Sequence, residues 1–192
     1  NSVYARTHIE GAQFIDWKTE LANSSESKLK NGVVTRANFD KVLKRVGVTS
    51  KSTVVLYAEA KSGLKATWGA WVFNLYGVPD VRILDGGLLK WNSAGGATTF
   101  AATAAKPAGT FKATVASSKL RAKIEEVVRN AKLKSSARAV IVDTRDSASY
   151  EGKAAGTGLG TAAKAGHIAS AKSIPTASIL NSDGTFKSAA EI

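Results

Sequence analysis

Two segments of this 192-residue chain share one frame 159 residues apart. His8-Ile9-Glu10-Gly11-Ala12 and His167-Ile168-Ala169-Ser170-Ala171 both read His-Ile-x-small-Ala. Repetition at that distance means two related folding units rather than one continuous architecture. Five matched positions carry little weight alone, so the flanking segments must supply the rest.

Around the first copy the hydrophobic pattern alternates between helix and strand. Thr35 is placed to cap a helix over 36–46, with Phe39, Val42, Leu43 and Val46 on one face and Gly47 ending it. Thr53-Val54-Val55-Leu56-Tyr57 is β-branched and apolar throughout, the pattern of a strand buried on both faces. A six-residue loop, 58–63, follows, and then a helix over 64–76 carrying Trp68, Trp71, Val72, Leu75 and Tyr76 at helical spacing. We read these aromatic residues as core. Val81-Arg82-Ile83-Leu84 is a short strand, Asp85-Gly86-Gly87 a turn, and Leu88 starts a short helix. That order predicts an α/β unit with a parallel sheet.

Residues 97–118 are small, polar and rich in Ala and Thr, and read as a linker between units. This gives a first unit over 1–96 and a second over 119–192. In the second, Leu120, Ile124, Val127, Val128 and Ala131 mark an amphipathic helix. Ala139-Val140-Ile141-Val142 has a buried-strand pattern and runs into Asp143-Thr144-Arg145. Residues 152–166 form a Gly-, Ala- and Lys-rich loop.

Composition narrows the chemistry. The chain has no cysteine, which excludes disulfides and cysteine nucleophiles within it. Two histidines and no thiolates leave no structural zinc set, and neither a metal nor a cofactor is expected. No apolar run reaches the ~18–20 residues of a membrane-spanning helix. The net charge of +12 favours anionic partners, but the 27 basic residues are spread along the chain without a dense tract, which argues against nucleic acid and for a small anion. The most basic stretch, 119–134, reads as a solvated helix face. Methionine is absent and residue 1 is Asn, and Ser188-Ala189-Ala190-Glu191-Ile192 reads as the start of a helix rather than its end, so both ends read as cut.

Jointly these segments resemble the tandem-domain rhodaneses, the thiosulfate and 3-mercaptopyruvate sulfurtransferases. Gly77-Val78-Pro79-Asp80-Val81-Arg82-Ile83-Leu84-Asp85-Gly86-Gly87-Leu88-Leu89-Lys90-Trp91 matches the family's domain-closing segment. Asp143-Thr144-Arg145, Tyr150-Glu151-Gly152 and Ala165-Gly166-His167-Ile168 match the opening of a second domain, and Asp183-Gly184-Thr185-Phe186-Lys187-Ser188 the stretch after it. The resemblance implies a parallel five-stranded sheet flanked by helices in each of two tandem units. Both units are expected to be incomplete here, the first lacking its opening strand, with a complementary fragment of the same protein as a partner.

The implied activity is transfer of sulfane sulfur from thiosulfate or 3-mercaptopyruvate to cyanide or a thiol through a cysteine persulfide. In the family that cysteine directly follows the Tyr-ending strand. Here the position is Ala58, so Ala58, Glu59, Ala60, Lys61, Ser62 and Gly63 form an inactive loop of the family's length. The second unit's cysteine is expected beyond residue 192, near position ~217 by extrapolating the repeat. Asp143, Arg145 and His167 are the site-supporting candidates. For the Asp143–Arg145 pair the resemblance implies a salt bridge at the strand end rather than donor contact. His8 and His167 are expected to orient their loops by hydrogen bonds. Ser149 stands where some members carry a donor-contacting arginine.

Two other functions stay open: a non-catalytic rhodanese-like binding module, for which Ala58 is the whole story, and a phosphatase relative. The Gly-rich run 156–160 lacks the third glycine and the preceding strand of a dinucleotide-binding loop. No Gly-x-Ser-x-Gly elbow occurs.

Overall fold

The computed structural model describes residues 3–22, 32–59, 63–154 and 165–192. The chain divides into two compact units, Asn1–Ser117 with Ser182–Phe186, and Ser118–Asn181 with Lys187–Ile192. The polar run 23–31, the central loop residues 60–62 and the Gly-rich run 155–164 lie outside the described residues.

In the first unit, β1 (His8–Ile9) precedes a π-helical turn, Trp17–Leu21, and then α1 (Arg36–Val46). Thr35 Oγ1 accepts a hydrogen bond from Asn38 N at 3.3 Å, and Gly47 adopts φ +80°, so both ends of α1 fall where the cap residues put them. β2 (Thr53–Leu56) leads through the loop to α2 (Leu64–Leu75), and β3 (Asp80–Ile83) to α3 (Gly87–Ser93) and β4 (Thr98–Thr99). β2 and β3 pair in parallel, Thr53 opposite Asp80. β1 and β4 pair antiparallel. Among the described residues of this unit, the expected five-stranded parallel sheet is met only as the β2–β3 pair. Among the described residues β2 has one sheet neighbour, and it is not covered on both faces, since Val55 is 53% exposed.

The core lies between α1 and α2. Phe39, Val42 and Leu43 pack with Val72, Phe73 and Leu75. The Phe39 and Phe73 rings meet edge-on at 4.9 Å, a favoured aromatic geometry. Trp68 and Trp71 pack against this core as expected for a structural stripe.

Of residues 97–118, expected to link the units, 97–117 group with the first. Gly109 N donates to Lys44 O, Phe111 N to Val48 O and Ala113 N to Asp40 Oδ1, each at 2.8–3.0 Å. These backbone bonds strap the stretch along α1. The segment Ser182–Phe186 also belongs to the first unit, where Asp183 pairs with Lys90 at 2.9 Å and Phe186 N donates to Asp85 Oδ1 at 2.8 Å.

The second unit holds α4 (Ile124–Ala131), β5 (Val142–Asp143), α5 (Ser147–Tyr150) and β6 (Lys172–Ser173). β5 and β6 pair in parallel, Val142 opposite Lys172. The buried-strand pattern of 139–142 is not realised as burial: Val140 is 70% exposed. α4 buries none of its residues. No helix among the described residues is long and apolar enough to cross a membrane.

Candidate functional site

β2 delivers Tyr57, Ala58 and Glu59 to the start of the loop, and Gly63, at φ +59°, turns the chain into α2. The left-handed φ at Gly63 is one that a side chain would resist. Ala58 is buried, and its carbonyl accepts a hydrogen bond from Leu88 N at 3.0 Å. The Asp85-Gly86-Gly87 turn thereby closes onto the loop. A Cβ on Gly87 would meet Ala58 O at 2.4 Å, so only glycine permits this approach. The methyl group of Ala58 occupies the position where a sulfur nucleophile is expected.

Glu59 pairs with Lys65 on the first turn of α2 at 2.6 Å. This hydrogen bond holds the Glu59 carboxyl below the usual range despite an opposing desolvation cost. Tyr57 accepts a hydrogen bond from Ile9 N at 3.0 Å, and burial pushes its phenol above the ordinary value. A cleft of about 470 Å³ opens beside this loop, with Tyr57, Ala58 and Glu59 on one wall and Gln13, Phe14 and Ile15 on another. Ala60, Lys61 and Ser62 lie outside the described residues.

The supporting candidates of the second unit come together at the end of β5. Arg145 binds the Asp143 carboxylate through Nε at 2.9 Å and a terminal nitrogen at 2.6 Å. The same terminal nitrogen reaches Gly166 O at 2.8 Å, joining the strand end to the His167 segment. The guanidinium keeps the Asp143 carboxyl below the usual range, and Asp143 raises Arg145 in turn. Asp146 caps α5, its carboxylate accepting from Ser149 N at 2.8 Å and Ser149 Oγ at 2.9 Å. Ser149, the position for which the resemblance implied a donor-contacting arginine in some members, is 2% exposed and faces the interior.

Sequence reading missed the tyrosines that hold the two histidines. In the first unit the Tyr4 and His8 rings stack at 3.9 Å, His8 Nδ1 donates to Tyr4 O at 2.8 Å, and Tyr4 Oη donates to Ala12 O at 2.7 Å. In the second, Tyr150 and His167 stack at 3.8 Å, His167 Nδ1 donates to Tyr150 O at 2.8 Å, and Tyr150 Oη donates to Ala171 O at 2.8 Å. Each Nδ1 faces a carbonyl, which only accepts, so each carries its proton on that nitrogen. Gly11 and Ser170 take matching left-handed conformations at φ +76° and +71°. The available signal was a tyrosine upstream of each His-Ile, hidden by its different spacing. Thr103, which also meets His8 Nε2 at 3.0 Å, lay in a stretch with no periodicity to mark it. No group of three or more metal-ligating side chains gathers among the described residues.

A family model, Rhodanese-like domain, matches residues 1–94. The sulfur carrier protein TtuD of Thermus thermophilus is 32% identical over 195 residues, covering 99% of this chain and 66% of that protein. A Saccharopolyspora erythraea protein named "Putative thiosulfate sulfurtransferase" is 34% identical over 194 residues, covering 100% of this chain and 65% of that protein. This chain thus spans about two thirds of the length of these curated relatives. The crystal structure of the 3-mercaptopyruvate sulfurtransferase SseA from Escherichia coli superposes with a TM-score of 0.82 at 23% identity, over 98% of this chain and 66% of that one. At that identity the superposition speaks for the fold. With a strand-to-helix loop closed by a Gly-Gly turn, a repeated His-Ile segment and these relatives, the chain belongs to the rhodanese family.

Proposed function

We propose that this chain is part of a sulfurtransferase that moves sulfane sulfur from a small anionic donor, thiosulfate or 3-mercaptopyruvate, to cyanide or a thiol. The observation that carries the reading is the end-to-end similarity to relatives named for sulfur transfer and sulfur carriage. The proposed architecture is two tandem units, 1–96 and 119–192, each built on a five-stranded parallel sheet. The first unit is inactive, with Ala58 in the nucleophile position. The nucleophilic cysteine belongs to the second unit's loop, near position ~217 of a longer polypeptide.

In this reading the thiolate attacks the outer sulfur of thiosulfate, the sulfur–sulfur bond breaks and sulfite leaves with the bonding pair. Cyanide then attacks the terminal persulfide sulfur, thiocyanate leaves and the thiolate returns. A loop running into a helix N-terminus suits this chemistry, because converging N–H groups and the helix dipole favour the thiolate. Asp143, Arg145 and His167 act here by holding the strand end and the Gly166-His167 segment, not by touching the donor.

The second reading, a non-catalytic binding module, is favoured by Ala58. Thiocyanate production from thiosulfate and cyanide by a polypeptide extended through position ~230 separates the two. Activity that disappears when the loop cysteine of that extension is changed to serine supports the enzyme. Absence of activity, or of any such cysteine, supports the binding module.

A further inference from the structure

Four cations of the first unit are spent on carboxylates. Arg45, Lys65, Arg82 and Lys90 pair with Glu20, Glu59, Asp80 and Asp183. Six others are exposed and make no ion pair among the described residues: Arg36, Lys41, Lys44, Lys51, Lys106 and Lys112. These six lie along one seam.

The fold builds that seam from two stretches far apart in sequence. Gly109 N donates to Lys44 O at 2.8 Å and Phe111 N to Val48 O at 3.0 Å, so Lys106 and Lys112 flank the bonds that tie their stretch to the end of α1. The Lys106 side chain lies against Gly47, where an added Cβ would meet its Cβ at 2.7 Å. Lys41 and Lys44 point away from the helix face that buries Phe39, Val42 and Leu43. Residues 36–52 and 97–117 together hold seven basic residues and one acidic. Half of the net charge of +12 therefore stands on about a fifth of the chain. The one carboxylate, Asp40, is engaged by Ala113 N at 2.8 Å.

Helix electrostatics account for part of this arrangement. Lys44 and Arg45 suit the last turn of α1, where a cation meets the negative end of the helix dipole. The same field disfavours Arg36 in the first turn, and Lys112 stands outside the helix altogether. Like charges gathered this way repel, and an anionic partner relieves the repulsion.

We propose that the seam between α1 and residues 106–112 is a docking surface for an acidic protein segment, one that presents several carboxylates along its length. Three features favour that partner over other polyanions. Five of the six cations are lysines, whose ammonium groups lack the fork that arginine offers to phosphate. The aromatic residues of these stretches, Phe39 and Phe111, pack into the core and offer no ring for a base to stack on. No large apolar side chain of 36–52 or 106–112 is exposed to enter a bilayer. A second copy of this chain carries the same excess of positive charge and is repelled. Docking of this kind speeds encounter and weakens as salt rises. This inference does not depend on the sulfurtransferase reading, since it needs no cysteine.

The test titrates the protein with a synthetic oligoglutamate peptide at low ionic strength and follows backbone amide shifts by NMR. The expected result is saturable shifts centred on Lys44, Lys106 and Lys112. That map is read on the parent protein and needs no variant. The triple variant Lys44→Gln, Lys106→Gln, Lys112→Gln keeps the side-chain stems and should bind about tenfold more weakly, as the loss of three exposed ion pairs implies. The triple variant Lys119→Gln, Lys132→Gln, Lys134→Gln removes the same charge from the most basic stretch of the sequence and should stay within about twofold of the parent. Equal losses in the two variants would assign the binding to net charge and overturn the proposal. So would shifts centred elsewhere, or tighter binding of a DNA duplex or of phosphatidylglycerol vesicles than of the peptide, which would give the surface to nucleic acid or to a membrane.

Discussion

Gly87 lies against the Ala58 carbonyl so closely that a single added carbon would sit 2.4 Å from the oxygen. The contact joins the turn after β3 to the first residue of the loop after β2, and Gly87 holds it at φ +57°. Both the clash and the backbone hand forbid a side chain. Gly87→Ala should therefore cost about 2 kcal/mol or more in folding free energy. Urea denaturation of the two proteins measures this, and an unchanged midpoint would show that the turn moves freely.

The opposite sign is expected at Ser170. It holds a left-handed conformation at φ +71°, where its counterpart in the first unit is Gly11. Relief of that strain outweighs the extra chain entropy glycine brings to the unfolded state. Ser170→Gly should stabilise the protein by up to about 1 kcal/mol. A lower denaturation midpoint in the variant would contradict the assignment.

The paired tyrosines offer a matched experiment. Tyr4→Phe and Tyr150→Phe each remove a hydroxyl bond to a backbone carbonyl and keep the ring, and Tyr4→Phe also removes the 2.8 Å bond between Tyr4 Oη and Thr103 Oγ1. Each should cost about 0.5–1.5 kcal/mol. Tyr4→Phe should cost at least as much as Tyr150→Phe, so a large cost at Tyr150 with none at Tyr4 would break the equivalence of the two clamps.

Ala58→Cys places a thiol beside Glu59, whose charge is balanced by Lys65 at 2.6 Å. The position is buried, and burial together with the adjacent carboxylate should outweigh the nearby helix N-terminus and hold the thiol at or above the free-cysteine value of ~8.5. Adding Lys65→Ala unbalances the carboxylate and should raise the value further. Thiolate absorbance against pH reads both, and a value well below ~8.5 in the single variant would contradict the argument.

Asp143 makes an acid-side prediction. Its carboxyl is held low in the folded protein by Arg145. A depressed folded value means the stabilisation is complete above the unfolded carboxylate value of ~3.9 and is lost as pH falls through the lower folded value. The second unit should lose stability below about pH 4, and Arg145→Leu should flatten that loss. Chemical denaturation at successive pH values between neutrality and pH 2 checks the slope.

Much of the first unit was legible in the sequence because its signals are local. Thr35 and Gly47 set both ends of α1, and the β-branched run before Ala58 marked β2. The stretch 97–117 was not legible, because single hydrogen bonds to the Lys44 and Val48 carbonyls and the Asp40 carboxylate hold it, and those leave no periodic trace. Val140 misled for a related reason. A β-branched run states that a residue suits an extended backbone, not that a neighbour covers it. Of the candidate site, Ala58 and the Asp143–Arg145 pair were visible as motif positions. The Tyr4–His8 and Tyr150–His167 stacks were not, since their bonds end on carbonyls common to every residue.

Those two stacks close on the same atoms although Tyr4 precedes His8 by 4 residues and Tyr150 precedes His167 by 17. A fastener of this kind fixes where a chain leaves and returns, and is indifferent to the route between. Lengthening such an excursion costs only about 0.6 kcal/mol for each doubling. The two clamps thus set where the chain departs at Tyr150 and where it is received at His167 by contacts that do not count the residues between.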